Sequence, residues 1–205
     1  MKNSDKKLIL MFFVLSCLLT GCATKNVSQI DIYTISPEWV DSRVQRQEKN
    51  LFIIKLAPVR GARTLAGTEI LYTGISYDQN SYAYSRWSDA PVRLLGSLFQ
   101  VALEENGGFA AVLPPTSVSN ADFLLESILY DFSLHINKDG TSEGVIRARF
   151  HLVNTKVQLV AATKELTSTV PASDQSAQAA VVALNKAASN VARDLVIWLA
   201  DPMRF

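Results

Sequence analysis

Alternating apolar and polar residues in the middle of the chain predict two long strands joined by a short turn. The alternate apolar positions are Ile128, Tyr130, Phe132, Leu134 and Ile136, followed by Ile146, Ala148, Phe150 and Leu152. A period of two residues is typical of a strand with one buried face. The register that keeps both apolar sets together pairs Phe132 with Ala148. On the opposite, wet face we expect Asp131 to pair with Arg149 as an exposed ion pair.

Other strands are predicted on both sides of this pair. Apolar runs bounded by turn residues mark strands at residues 30–35, 51–59, 68–76, 80–87, 109–113 and 157–170. Between the first two runs, residues 38–50 are polar and charged, which is typical of a linker or a short helix.

Two amphipathic helices complete the pattern. The first is predicted to begin at Ser88, a favourable N-cap, and to end at Asn106. The second is predicted to be capped by Ser173 or Asp174 and carries an apolar stripe that runs to Trp198. We therefore expect an α+β fold, with a mostly antiparallel sheet and two main helices packed on one face.

The first 21 residues have the layout of a secretory signal. Three lysines precede a run of apolar or small residues at positions 8–19, shorter than the roughly 20 residues that a membrane-spanning helix needs. The run ends in Leu19-Thr20-Gly21-Cys22, which resembles the lipobox of bacterial lipoproteins. In that class the signal is cleaved before the cysteine, whose thiol and amino group are then acylated.

This interpretation fixes the domain organisation. We expect a cleaved signal at residues 1–21, a short tether at residues 22–29 and a single domain at residues 30–205. Cys17 is lost with the signal and Cys22 is the lipidation site, so the mature chain has no free thiol. Several acyl chains make a firm membrane anchor, whereas one chain alone binds only marginally.

The mature chain carries almost no net charge. Signal cleavage removes three of 20 basic residues and one of 19 acidic residues, which leaves 17 and 18 and a formal balance of −1. Such a chain has no basic field for nucleic acid and no polybasic patch for anionic lipid. The full sequence is 48% hydrophobic, which is ample for a packed core even when the signal is discounted.

No catalytic or metal-binding pattern stands out in the sequence. It contains no Gly-x-Ser-x-Gly, no phosphate-binding glycine loop and no His-Glu-x-x-His. His135 and His151 lie about eight residues apart along the predicted strand pair, which is too far for them to share a metal ion. We therefore expect two solvated histidines, no metal, no cofactor and no enzymatic activity.

Three aromatic residues, Tyr82, Tyr84 and Trp87, come just before the first predicted helix. Aromatic residues at such a corner can form a contact surface for a partner or for lipid. They can also pack the strand against the helix, with Trp87 beneath the first helical turn. The packing role is favoured for Trp87, because the helix start at residues 88–91 fixes the direction of the chain beside its ring.

The order of motifs resembles the ABC-type transport auxiliary lipoproteins, a PqiC-like group. The shared motifs are the lipobox, Tyr33-Thr34-Ile35 in a first strand, Val59-Arg60 at the end of a second, and the corner Tyr82-Ala83-Tyr84-Ser85-Arg86-Trp87-Ser88-Asp89-Ala90-Pro91 before a helix. That family usually has Pro directly after Val-Arg, where this chain has Gly61.

The resemblance implies a non-enzymatic subunit of a transport system that moves lipids or other hydrophobic molecules between the inner and outer membranes. The implied partners are an MCE-domain protein, ABC transporter components and the membrane that holds the anchor, and assembly as a homo-oligomer is open. No nucleic-acid partner is expected. Ala23 after Cys22 is compatible with export to the outer membrane, so we expect a lipid-anchored protein on its periplasmic face.

Two alternative functions stay open from the sequence. One is a stand-alone periplasmic lipoprotein that binds lipid itself, which a large apolar pocket between sheet and helices would favour. The other is a lipoprotein that aids assembly of the outer membrane or of surface polysaccharide.

Overall fold

The protein is seen here in a computed structural model that describes residues 29–36, 52–105 and 108–200. Its strands are β1 Asp31–Tyr33, β2 Ile53–Leu56, β3 Arg60–Gly61, β4 Glu69–Thr73, β5 Gln79–Trp87, β6 Ala111–Leu113, β7 Phe123–Ile136, β8 Ser142–Asn154 and β9 Leu159–Pro171. Its helices are α1 Pro91–Glu105, α2 Ala177–Leu199 and a short 3-10 helix at Arg63–Ala66. The expected signal, Cys22 and the predicted linker at residues 38–50 lie outside the described residues.

The long strand β7 organises a mixed sheet. Along one edge it pairs antiparallel with β8, which pairs antiparallel with β9. Along the other edge β2, β3 and β4 pair in parallel with successive stretches of β7. Strand β6 is parallel to β2, β5 is antiparallel to β4, and β1 is parallel to β5.

The α+β class is confirmed, but the prediction of a mostly antiparallel sheet is wrong. Alternation along the sequence identifies hairpins between neighbouring strands, and β7 with β8 is such a hairpin. The parallel partners of β7 come from earlier in the chain, and parallel strands must be joined by long crossover connections. Here the chain between β4 and β7 forms β5, α1 and β6. Parallel partners are therefore far apart in the sequence, and the local pattern of apolar residues does not reveal their pairing.

A β-bulge at Tyr130 changes the predicted register. Leu129 pairs with Ala148 and Phe132 pairs with Ile146, and the register shifts between these two pairs. The predicted pairing of Phe132 with Ala148 is therefore wrong. A bulge inserts one extra residue in one strand and moves the following side chains to the other face. Consequently Leu129 and Phe132 are both buried, whereas Tyr130 is exposed.

The bulge also changes the polar pairs on the outer face of the sheet. Asp131 lies opposite Arg147, and Arg149 lies opposite Ile128 on β7 and Glu165 on β9. The expected ion pair of Asp131 with Arg149 is therefore wrong. Arg149 instead forms a salt bridge of 2.5 Å with Glu165.

Both helices begin slightly later than predicted. Helix α1 begins at Pro91 rather than directly after Ser88. Helix α2 is capped by Ser176, whose side chain accepts a hydrogen bond of 3.2 Å from the amide of Ala179. The predicted cap Asp174 instead accepts a hydrogen bond from the amide of Ser176, at 2.7 Å, and so orders the turn before the helix.

The two helices pack into one hydrophobic core on the face of the sheet that carries Phe150. The ring of Phe99 in α1 lies 5.3 Å from the ring of Phe150, in an edge-to-face arrangement. Helix α2 approaches β8 closely, because a Cβ atom added at Gly144 would lie 2.8 Å from the Cβ of Ala183. Among the helices that the structure describes, none combines the length and apolar character needed to cross a membrane.

Candidate functional site

Trp87 is part of the core. Its side chain is only 2% exposed, and its ring centroid lies 5.4 Å from that of Phe132. Two backbone hydrogen bonds hold the same corner. The amide of Trp87 donates to the carbonyl of Thr68, directly before β4, at 2.7 Å, and the amide of Ser88 donates to the carbonyl of Tyr33 in β1 at 2.6 Å. The indole therefore fills the space beneath the strand-to-helix corner.

The indole N–H of Trp87 is unsatisfied within the part of the chain that the structure describes. Its Nε1 atom is buried and has no hydrogen-bond partner among the described residues. A buried donor without a partner costs roughly 1–3 kcal/mol. Trp87 therefore contributes to stability through the packing of its ring and not through its polar atom.

Asp89 orders the entry into helix α1. Its carboxylate accepts hydrogen bonds of 2.7 Å from the Ala90 amide and from Nε of Arg93. These bonds, first that from Arg93 and then that from Ala90, lower the pKa of Asp89. The charged carboxylate also lies at the N-terminal end of the helix, where negative charge is favourable.

Tyr82 connects the sheet to the start of helix α2. Its hydroxyl donates a hydrogen bond of 2.8 Å to the carbonyl of Gln175, and its ring lies 5.1 Å from that of Tyr72. Burial, with smaller effects from Tyr72 and Asp174, raises the pKa of Tyr82 to about 12. The hydroxyl therefore stays protonated at physiological pH and keeps its role as a donor.

Tyr84 differs from its two aromatic neighbours because its side chain is 59% exposed. It lies beside β1, in which Ile32 is 70% exposed and pairs with Arg86 of β5. Ile30, just before β1, is also exposed. We call Ile30, Ile32 and Tyr84 the edge patch, because β1 pairs only with β5 among the described strands.

A second cluster surrounds the bulge on the outer face of the sheet. The guanidinium groups of Arg147 and Arg149 lie 5.2 and 5.5 Å from the centre of the Tyr130 ring. Glu165 pairs with both, at 3.8 Å to Arg147 and 2.5 Å to Arg149. The group brings together side chains of three strands on an exposed face: the Tyr130 ring of β7, the two arginines of β8 and Glu165 of β9. Each exposed ion pair there contributes at most about 1 kcal/mol.

The two histidines lie far apart, as the predicted spacing required. His135 contacts Asp131 at 2.8 Å, and this bond raises the pKa of His135, although partial burial opposes it. His151 contacts the hydroxyl of Thr163 at 2.9 Å. Within residues 29–36, 52–105 and 108–200, no group of three or more His, Cys, Asp or Glu side chains is placed to hold a metal ion.

The predicted site residues are thus not brought together. Trp87 lies inside the core, Tyr82 is half-buried and hydrogen-bonded, Tyr84 faces solvent, and Cys22 is outside the described residues. Sequence reasoning missed the exposed cluster at Tyr130. The alternation of Tyr130 with Phe132 hides the bulge, because both residues look apolar and neither is a glycine.

The chain belongs to the family of ABC-type transport auxiliary lipoprotein components. The model of this family matches residues 33–196, which include all the strands from β2 to β9 and both helices except the last turn of α2. The family assignment made from the motifs is therefore confirmed. No curated protein sequence matches the chain.

Solved structures share the fold at low sequence identity. A protein from Xanthomonas campestris, described as a member of the DUF330 family, superposes with a TM-score of 0.72 at 20% identity, covering 82% of this chain and 94% of that one. An uncharacterized protein gives a TM-score of 0.65 at 12% identity, with 83% and 99% covered. A hypothetical protein from Chlamydia trachomatis gives 0.54 at 9% identity, with 74% and 96% covered.

Proposed function

We propose that the protein is a lipid-anchored, non-enzymatic subunit of an ABC transport system that works with an MCE-domain protein. The system moves lipids or other hydrophobic molecules between the inner and outer membranes. The observation that carries the proposal is the family match over residues 33–196 behind a lipobox that ends at Cys22.

The proposed domain organisation places the folded domain close to its membrane. Signal cleavage after Gly21 leaves Cys22 as the acylated N-terminus, and β1 begins nine residues later at Asp31. Nine residues span at most about 30 Å when fully extended. Because Ala23 follows Cys22, we assign the anchor to the periplasmic face of the outer membrane.

The packing between sheet and helices supports a docking subunit over a lipid carrier. The fully buried aromatic side chains of the described core are Trp87, Phe99, Phe132 and Phe150. At Gly144 the backbone of β8 approaches α2 so closely that even a methyl group would collide with Ala183. A lipid chain that entered between these two elements would have to displace them.

The edge patch is the proposed contact for the transport partner. Of the three aromatic residues at the corner, Tyr84 is the one whose ring faces solvent, and it lies with Ile30 and Ile32 at the edge of the sheet. Exposed aromatic residues beside aliphatic ones are typical anchors of protein interfaces. An edge strand also offers unpaired backbone groups to an incoming strand.

Acylation and transport test the proposal at two levels. Growth with a labelled fatty acid should label the wild type and leave Cys22→Ala unlabelled; equal labelling of both would contradict the anchor. In cells that lack the gene, labelled phospholipid should move between the two membranes at a changed rate that the wild-type chain restores. Unchanged movement would contradict a role in lipid transport.

A further inference from the structure

The turn between β4 and β5 exposes two apolar side chains. Ile75 is 51% exposed and Tyr77 is 93% exposed. The turn itself is well formed, since the amide of Gly74 donates to the carbonyl of Asp78 at 2.8 Å and the amide of Tyr77 donates to the carbonyl of Gly74 at 3.2 Å. We call Ile75 and Tyr77 the hairpin tip.

The backbone at Tyr77 makes this exposure more unusual. Its φ angle of 64° is in the left-handed region, which bulky residues rarely occupy. Glycine or asparagine is the ordinary choice at such a position. At 93% exposure the ring gains almost nothing from packing within the described chain, so fold stability does not explain a tyrosine here.

The hairpin tip lies at the end of the sheet towards which the N-terminal end of β1 points. Strand β1 is parallel to β5, so its N-terminal end points the same way as the start of β5, where the hairpin tip is. Ile32 pairs with Arg86, which pairs with Glu69 in β4. From Glu69 to Thr73, the last residue of β4, the strand advances about 13 Å towards the tip, at roughly 3.3 Å per residue.

The proposed anchor can bring this end of the domain to the bilayer. The nine residue steps from Cys22 to Asp31 reach up to about 30 Å, which exceeds the distance by which the tip extends beyond β1. The turn between β7 and β8 lies at the same end, because Thr73 pairs with His135 near the end of β7.

Charge does not draw this end to an anionic surface. The two turns carry exposed Asp78, Lys138 and Asp139, which gives a formal balance of −1. Contact with a bilayer would therefore depend on the apolar side chains and not on cations. Tyrosine suits this role, because its amphipathic ring is enriched at the level of the lipid headgroups.

We propose that the hairpin tip is a second membrane contact, with Ile75 and Tyr77 inserted among the headgroups of the bilayer that holds the lipid anchor. The inference rests on the proposed acylation of Cys22. The contact adds apolar area beside the anchor and fixes the orientation of the domain, so that the opposite end of the sheet points away from the membrane.

A fluorescent label at each end of the sheet tests this orientation. The full-length acylated chain is reconstituted into phosphatidylcholine vesicles with an environment-sensitive dye on Ser76→Cys, between the two tip residues. The matched control carries the dye on Ser119→Cys, an exposed serine in the connection from β6 to β7. This connection precedes Phe123, at the end of β7 opposite His135.

We expect the dye at position 76 to shift to the blue and to be quenched by spin labels on lipid headgroups. The dye at position 119 should show the emission of a water-exposed dye, with no blue shift and no quenching. Adding Ile75→Ser and Tyr77→Ser to the Ser76→Cys chain should abolish the shift, whereas raising the salt concentration should leave it unchanged. Loss of the shift in salt would overturn the apolar mechanism.

Two other outcomes overturn the inference and are distinguishable. If the protein floats with the vesicles but the dye at position 76 shows the emission of a water-exposed dye, the lipid anchor is supported and the proposed membrane contact of the hairpin tip is wrong. If the chain without introduced cysteines takes up dye and does not float, Cys22 is free and the anchor itself fails. A blue shift that needs a concentrated second copy or the transport partner, and not vesicles, would make the tip a protein contact instead.

Discussion

The indole ring of Trp87 packs against the ring of Phe132, with centroids 5.4 Å apart and an interplanar angle of 39°. This contact joins the corner before α1 to the central strand β7. It depends on the bulge at Tyr130, because without the extra residue the side chain of Phe132 or that of Leu129 would point to solvent.

Replacing Trp87 tests its packing role. Trp87→Ala should leave a cavity and lower the free energy of unfolding by about 3–5 kcal/mol. Trp87→Phe should cost only about 1–2 kcal/mol, because it keeps an aromatic ring and removes the unsatisfied N–H. Chemical denaturation of both variants gives the comparison. A Trp87→Ala protein as stable as the wild type would contradict the packing role.

Disulfide formation tests the bulge. Directly opposed residues of antiparallel strands have Cα atoms about 4.5–5.5 Å apart, within the range of a disulfide, whereas diagonal neighbours are about 7–8 Å apart. Asp131→Cys with Arg147→Cys should therefore oxidise readily, and Asp131→Cys with Arg149→Cys should not. Preferential oxidation of the second pair would restore the register without a bulge.

The contact of His135 with Asp131 should make stability depend on pH. Because the fold raises the pKa of His135 above its ordinary value of 6.5, the contact stabilises the protein fully below that value. The stabilisation is lost as the pH rises through the raised pKa. The difference in Tm between wild type and Asp131→Asn should therefore shrink from pH 5.5 to pH 8.5.

Nuclear magnetic resonance gives the direct check on this histidine. The pKa of His135 should lie above 6.5 in the wild type. It should lie closer to 6.5 in Asp131→Asn, because the remaining influences oppose each other: partial burial lowers the pKa and Glu143 on the paired strand raises it. Titration of wild-type His135 below 6.5 would show that partial burial outweighs the hydrogen bond.

Two glycines give a matched test of the close packing of α2 on β8. Gly144→Ala should destabilise the protein by about 1–3 kcal/mol, because its Cβ would lie 2.8–2.9 Å from Ala183 and Leu184 atoms, in part backbone. Gly96→Ala, within α1, meets Val59 alone among the described residues, at 3.5 Å, and should stabilise by about 0.5–1 kcal/mol. Equal effects in thermal unfolding would show that α2 lies farther from the sheet.

The sequence predicts the local elements well. Every predicted strand segment contains a strand, and the alternate residues Ile146, Ala148, Phe150 and Leu152 are all buried. Alternation works in β8 because this strand has one continuous buried face. The two-residue strand β3, which pairs with the middle of β7, is too short to produce a period.

The long-range features could not be predicted in this way. The bulge at Tyr130 places Ile128 on the outer face and Leu129 in the core. Because both residues are apolar, the sequence fits an alternation that buries Ile128 as well as one that buries Leu129. Tyr84 lies in the stretch of β5 where the pairing with β4 is irregular, since Glu69 pairs with Arg86 but Leu71 pairs with Ser81. Such irregularities are set by tertiary packing and not by residue type.

The edge patch offers a variant that separates binding from folding. Tyr84→Ser removes an exposed ring, so its Tm should stay close to that of the wild type. Loss of binding to the transport partner without loss of stability would support the patch as the contact. Full binding by a stable Tyr84→Ser protein would exclude Tyr84 from the interface.

The proposed function requires that this lipoprotein associate with an MCE-domain protein and an ABC transporter. The most direct measurement is affinity capture of the acylated, full-length chain from cross-linked cell envelopes, with captured proteins identified by mass spectrometry. We expect an MCE-domain protein and ABC transporter components to be enriched over a capture with Cys22→Ala. Capture of the acylated chain without either class of protein would contradict the proposed function.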